Sequence, residues 1–156
     1  MRKIMLSVVA VSIVVVVSFQ FTAYAFFGPS VKSLSPKNGS LMLPISQFDD
    51  GKAHYFTVRA DDGISVTFFA LKSRDGVIRA AIDACDVCYR SGKGYSQEGD
   101  YMICGNCGKR FSSERINVVK GGCNPAPLNR TINDGNLVIS MNDINANSWY
   151  CKYRKQ

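Results

Sequence analysis

A single histidine, His54, stands in the 156 residues. Catalysis through a Ser-His-Asp or Cys-His arrangement would rest on that one ring, and no such triad is visible. A lone histidine in an apolar stretch is an ordinary strand or surface residue more often than a ligand, though His54 would make an attractive extra one. No P-loop and no carboxylate pair point to phosphoryl or hydrolytic chemistry. No nucleic-acid-binding motif accompanies the positive charge of +7. Beyond residue 27 no stretch keeps a 3.6-residue apolar period over three turns, which excludes a helical bundle. The chain reads as a carrier or metal-binding protein rather than an enzyme.

The one long apolar run is N-terminal. Arg2 and Lys3 precede an almost unbroken stretch from Ile4 to Val17, and Ala23-Tyr24-Ala25 offers the small-x-small pattern of a signal-peptidase site. Residues 1–27 read as a signal peptide or, uncleaved, as a membrane anchor, since residues 4–27 are long enough to span a bilayer. In both cases the rest is exported, to a periplasmic or other extracytoplasmic location, with residues 4–27 as the inner-membrane anchor if retained. There is no cysteine at the cleavage site for a lipid and no twin arginine. Setting Arg2 and Lys3 aside, 17 basic residues remain against 12 acidic ones, a net charge of +5. They are scattered apart from Lys152, Arg154 and Lys155, as on a solvated basic surface.

Residues 28–40 are rich in turn formers and read as a linker, leaving residues 41–156 as the domain. Short β-type runs follow: 41–45, 53–59, 64–71, 77–82, 101–103, 116–119 and 137–141. Asp61-Asp62-Gly63, Ser73 to Gly76 and Asn133-Asp134-Gly135 supply turns between them. The expected fold is mainly β, a small barrel or sandwich with long loops. Residues 41–48 and 137–144 echo one another faintly and read as two similar strands close in space.

Against these absences stand six cysteines. Four form two pairs, Cys85-Asp-Val-Cys88 and Cys104-Gly-Asn-Cys107, with fifteen residues between them. The spacing offers four soft thiolates from two tight turns, which suits one tetrahedral metal or a small iron–sulfur cluster. Gly108, directly after the second pair, permits the tight turn that such a knuckle needs. Lys109 and Arg110 add positive charge beside an anionic site. A zinc ribbon uses the same pattern, with the metal only stapling the fold. A metal-delivery module for zinc, copper or ferrous iron fits it too. Disulfides are the other alternative in an exported chain, including a Cys123–Cys151 bridge. A thiol–disulfide oxidoreductase using one pair is weaker, because no thioredoxin-like βαβ pattern surrounds either. Tyr89, Tyr95 and Tyr101 read as packing residues.

Cys104-x-x-Cys107-Gly108-x-x-Phe111 resembles the second cluster-binding box of Rieske proteins, with cysteine in place of histidine. Residues 121–128, Gly-Gly-Cys-Asn-Pro-Ala-Pro-Leu, are similar to the loop that covers the Rieske cluster. On this likeness the fold would be a small Rieske-like barrel or sandwich with a two-knuckle metal-binding subdomain. Five phrases in order resemble more specifically the FtrD-like family of membrane-associated iron–sulfur proteins: residues 75–83, 85–89, 94–99, 104–108 and 121–125. The resemblance covers roughly residues 41–150. It implies an extracytoplasmic domain serving ferrous-iron uptake or membrane electron transfer, with membrane redox or iron-transport proteins as partners. It places an iron–sulfur cluster or a single iron on Cys85, Cys88, Cys104 and Cys107, with zinc as the alternative. It also puts Cys123 in the loop over the metal, as a fifth sulfur, an exchangeable ligand or a disulfide partner.

Overall fold

The computed structural model describes residues 30–154, so the expected signal or anchor over residues 1–27 lies outside the described residues. Ten strands arrange in three sheets. The central sheet has the order β1 (Val31–Ser33), β3 (His54–Arg59), β4 (Ser65–Lys72) and β5 (Ile78–Ile82). A second sheet orders β2 (Ser40–Pro44), β10 (Asn136–Ser140) and β9 (Thr131–Asn133). The third orders β6 (Tyr95–Glu98), β7 (Tyr101–Cys104) and β8 (Arg110–Ser112).

Burial along the strands explains the stacking. In β4 the six residues from Val66 to Leu71 are all buried, as expected of a strand covered on both faces. In β2 and β10 burial alternates, with Leu41, Leu43, Leu137 and Ile139 inward, so these strands have one wet face. Side chains of a strand point alternately to opposite faces, and the central sheet uses this to serve two cores. Phe56 of β3 lies opposite Phe68 of β4 and stacks on it at 5.3 Å, within a core completed by Leu41, Leu43, Leu137 and Ile139. Their neighbours Tyr55 and Phe69, also opposite one another, face the other way. They join Ala81, Tyr95, Met102 and three of the cysteines in a second core. The chain is thus mainly β with several sheets, and no barrel closes among the described residues.

The turns fall as expected between β3 and β4, β4 and β5, and β9 and β10. The two echoing segments are neighbours: β2 and β10 pair antiparallel, Leu41 opposite Ile139 and Leu43 opposite Leu137. Each is followed by a short helical element, a 3-10 turn at Ile45–Phe48 and helix α1 at Met141–Ala146. The Ser140 hydroxyl caps α1, accepting from the Asn142 N–H at 3.2 Å.

Several features depart from the readings of the sequence, and β6, β8 and β9 were not expected as strands. Residues 31–33, inside the breaker-rich stretch, form β1 and run parallel to β3. Residues 116–119 are not a strand. Asn117 takes φ +65°, and its side-chain amide, not its backbone, pairs with Ala80 of β5, accepting from the N–H at 3.1 Å and donating to the carbonyl at 2.7 Å. No Cys123–Cys151 bridge forms. Both are free thiols, and Cys151 sits in the first core, where its sulfur accepts from the Thr67 N–H at 3.4 Å.

Candidate metal centre

Both cysteine pairs form the same tight turn. In the first, the N–H of Tyr89 donates to the Cys85 carbonyl at 3.1 Å. In the second, the N–H of Gly108 donates to the Cys104 carbonyl at 2.9 Å. Each turn brings its two cysteines close together, and Gly108 takes φ +71°, as its place after the second pair suggested. The first knuckle grows from the end of β5, and there the Cys88 N–H donates to the Cys85 sulfur at 3.2 Å. The second closes the β7–β8 hairpin, with the Cys104 N–H donating to the Lys109 carbonyl.

Two further segments bring the knuckles together. In the β6–β7 hairpin Tyr95 lies opposite Cys104, and the Gly105 N–H donates to the Gly94 carbonyl at 2.8 Å. The other segment is the 121–128 loop. Pro125 and Pro127 have no N–H to give, so only the alternate residues bond to β5 and its end. Ala126 donates to Ala84 and accepts from Ile82, and Leu128 donates to Ala80. This stitching lays Cys123 against the second core beside the knuckles.

Five sulfurs meet as a result. Those of Cys85, Cys88 and Cys104 lie within 4.8 Å of one another, as do those of Cys88, Cys107 and Cys123. Cys88 belongs to both groups. Cys85 and Cys104 are sealed from solvent, Cys107 is exposed and Cys123 is half-buried. His54 takes no part: its Nε2 lies 3.0 Å from Asp50 on an exposed edge. Of the tyrosines, Tyr101 is exposed and Tyr89 packs among Trp149, Tyr150 and Tyr153. Tyr95 does more than pack: its hydroxyl donates to the Cys123 carbonyl at 2.6 Å, and its own carbonyl accepts from the Tyr55 hydroxyl at 2.9 Å.

The electrostatics grade across the site. The Asn106 amide, 3.4 Å from the Cys88 sulfur, favours its thiolate. Burial and the facing sulfurs of Cys104 and Cys85 outweigh it and push this thiol up to about 12. Burial and the facing Cys107 raise Cys123 as well. Cys107 moves the other way, chiefly because the Lys109 N–H stabilises its thiolate. Of these three sulfurs, that of Cys107 is the most easily ionised.

Asp83 and Asn106 were not singled out from sequence, and Arg154 stood out there only as part of a basic tail cluster. Asp83 is 1% exposed and its Oδ2 accepts from Arg154 at 2.6 Å. Its Oδ1 accepts from the Tyr95 N–H at 2.7 Å. Burial nonetheless raises its carboxyl to about 6. Gly94 packs directly on this carboxylate, where any Cβ would overlap it. The pair ties the entry of the first knuckle to the C-terminal segment. Only its three-dimensional setting distinguishes Asp83 from any other aspartate.

A soft donor set of this kind, all sulfur and no nitrogen, fits iron in an iron–sulfur cluster as well as other thiophilic metals. Residues 48–150 match the family model described as membrane iron-sulfur containing protein FtrD-like. The chain belongs to the FtrD-like family. No curated protein and no solved structure matches. FtrD-like proteins are by that description membrane-associated, and no helix among the described residues is long and apolar enough to cross a bilayer.

Proposed function

We propose that this FtrD-like chain is an extracytoplasmic electron carrier serving iron uptake. Its cysteines would hold an iron–sulfur cluster or single iron, exported behind residues 1–27 and handed electrons by membrane redox or iron-transport partners. The observation that carries this reading is the gathering of five sulfurs against a core of Tyr55, Phe69, Tyr95 and Met102, with one sulfur at the surface. Iron held by thiolates supplies one-electron chemistry without any protein acid, base or nucleophile. The chain's part is to bind, shield and expose. Cys85 and Cys104 close the inner side to water. Exposed Cys107 and Val87, at 64% exposure, put the other side within reach of a docking partner. Burial behind and exposure in front is the arrangement that short-range electron transfer needs.

The full-length chain, purified anaerobically in detergent, tests the proposal. Absorption bands in the visible range, iron and acid-labile sulfide are expected, with bleaching on reduction. A colourless protein carrying zinc alone would overturn it in favour of a zinc-stapled or metal-delivery module.

A further inference from the structure

The C-terminal segment carries an aromatic cluster that the metal centre does not use. A 3-10 turn at Ser148–Cys151 lays its rings against Tyr89, the residue directly after Cys88. The Trp149 and Tyr150 rings stack at 3.7 Å, and Tyr89 meets Trp149 edge-on at 5.1 Å and Tyr153 at 5.9 Å. Gly92 lets the tail come this near, since a Cβ there would lie 2.8 Å from the Tyr153 carbonyl oxygen. The cluster has two sides. Tyr89 and Tyr150 pack on the first core, whereas Trp149 and Tyr153 are left 44% and 48% exposed.

Cations border the exposed rings. The Arg90 guanidinium lies 5.9 Å from the ring centres of both Tyr89 and Tyr153, which holds it on this face. Lys152 stands between Trp149 and Tyr153 in the chain, and Lys155 follows. Arg90 and Lys152 are exposed and make no ion pair among the described residues, while Arg154 is neutralised by Asp83. Asp62 and Asp86, which also border the segment, are bound by the Ser148 and Tyr150 hydroxyls.

Such a face matches the boundary of a bilayer. Rings with an apolar body and a polar edge settle at headgroup level, where unpaired Arg and Lys meet lipid phosphates. Two half-exposed rings fall well short of the about 800 Å² per partner that a stable protein interface buries, whereas a fluid bilayer accepts a small patch. The family is described as a membrane one, and this face gives the described residues a place to meet the membrane. We infer that the Trp149–Tyr153 face rests on an anionic lipid surface. Because Tyr89 follows Cys88, contact there holds the first knuckle beside the membrane. The contact stands on surface residues and does not depend on which metal the cysteines hold.

Trp149 is the chain's only tryptophan, so its emission reports this face alone. The full-length chain is reconstituted in vesicles of phosphatidylcholine with phosphatidylglycerol. Bromine placed high on the acyl chains should quench the emission, relative to the same vesicles without bromine. Acrylamide, a quencher in the water, should lose access as the phosphatidylglycerol content rises. K152Q removes one unpaired charge and should weaken the contact about fivefold, read as the extra phosphatidylglycerol needed for equal quenching. Equal emission with and without bromine at every lipid composition would overturn the inference. So would a ring shielded from both quenchers, which marks a face covered by protein, or a K152Q chain that behaves as the unaltered one. Iron, sulfide and the visible spectrum of the same samples decide the carrier reading separately, so either reading can fall while the other stands.

Discussion

The two faces of the central sheet make different bargains with water. On the face covered by β2 and β10, carbon does all the sealing: Phe48, Phe56, Phe68, Leu137, Ile139 and Ile144 are fully buried, and the lone Cys151 is hydrogen-bonded to Thr67. On the other face, Cys85, Cys88 and Cys104 occupy core positions among Tyr55, Phe69, Tyr95 and Met102. A core of apolar side chains is complete when the chain has folded. A core that includes facing sulfurs is complete only once something holds those sulfurs together. Like β3 and β5, β4 contributes to both, through Val66, Phe68 and Ala70 on one side and Phe69 and Leu71 on the other. The contrast separates scaffold from site within a span of six residues.

The sharpest way to break this contrast is Phe68→Ala. Loss of a fully buried ring should cost about 3–5 kcal/mol, equally with and without metal, as read by denaturant unfolding of both forms. A cost that shrinks on metal loading would mean the two faces are not independent. Arg154→Gln comes next. It leaves Asp83 buried without its partner and should cost about 3 kcal/mol near pH 8. Because the folded carboxyl already titrates near 6, above its unfolded value of 3.8, the folded chain holds the extra proton between those values. Stability from this group therefore falls as pH rises through 4 to 6, and the Arg154→Gln defect should be smaller at pH 5 than at pH 8. An equal defect at both would place Asp83 outside the titration.

Metal removal should have a smaller and more local effect. Amide exchange in β6, β7 and β8 should quicken by about tenfold or more, while β3, β4 and β10 keep their protection. Uniform loosening would merge the two cores into one cooperative unit. The smallest change belongs to Asp75→Asn, at the β4–β5 turn on the scaffold. The Ser73 hydroxyl and the Arg79 guanidinium hold this carboxyl down to about 2, so its contribution is present above pH 4 and lost as pH falls from 4 to 2. The variant should flatten the stability profile in that window and leave metal content unchanged.

What could be read from sequence was whatever is local. β3, β4 and β5 announced themselves as β-branched and aromatic runs between aspartate-glycine turns. The knuckles were legible because four residues of chain suffice to place two sulfurs. The pairing of β2 with β10 showed through only because both strands alternate the same way. β6 and β8 escaped notice, since Tyr-Ser-Gln-Glu and Arg-Phe-Ser have too few apolar residues to signal a strand. They are strands because β7 lies between them. The run at 116–119 misled because its apolar residues surround Asn117, whose side chain takes over the pairing. The Asp83–Arg154 tie spans 71 positions, and no local pattern reveals such a contact. The sequence expectation put Cys123 in a loop over the metal, but that its sulfur lies with those of Cys88 and Cys107 needed the fold.

That tie also has a meaning in time. A chain made from its N-terminus presents both knuckles before Arg154 has been added, and before Trp149 and Tyr150 can cover Tyr89. During that interval Asp83 has no cationic partner and the first knuckle lacks the segment that later closes over it. The sulfurs are then at their most accessible, to a metal donor and to an oxidant alike. The order of synthesis thus leaves a brief opening in which the inner cysteines are within reach before the C-terminal segment covers them.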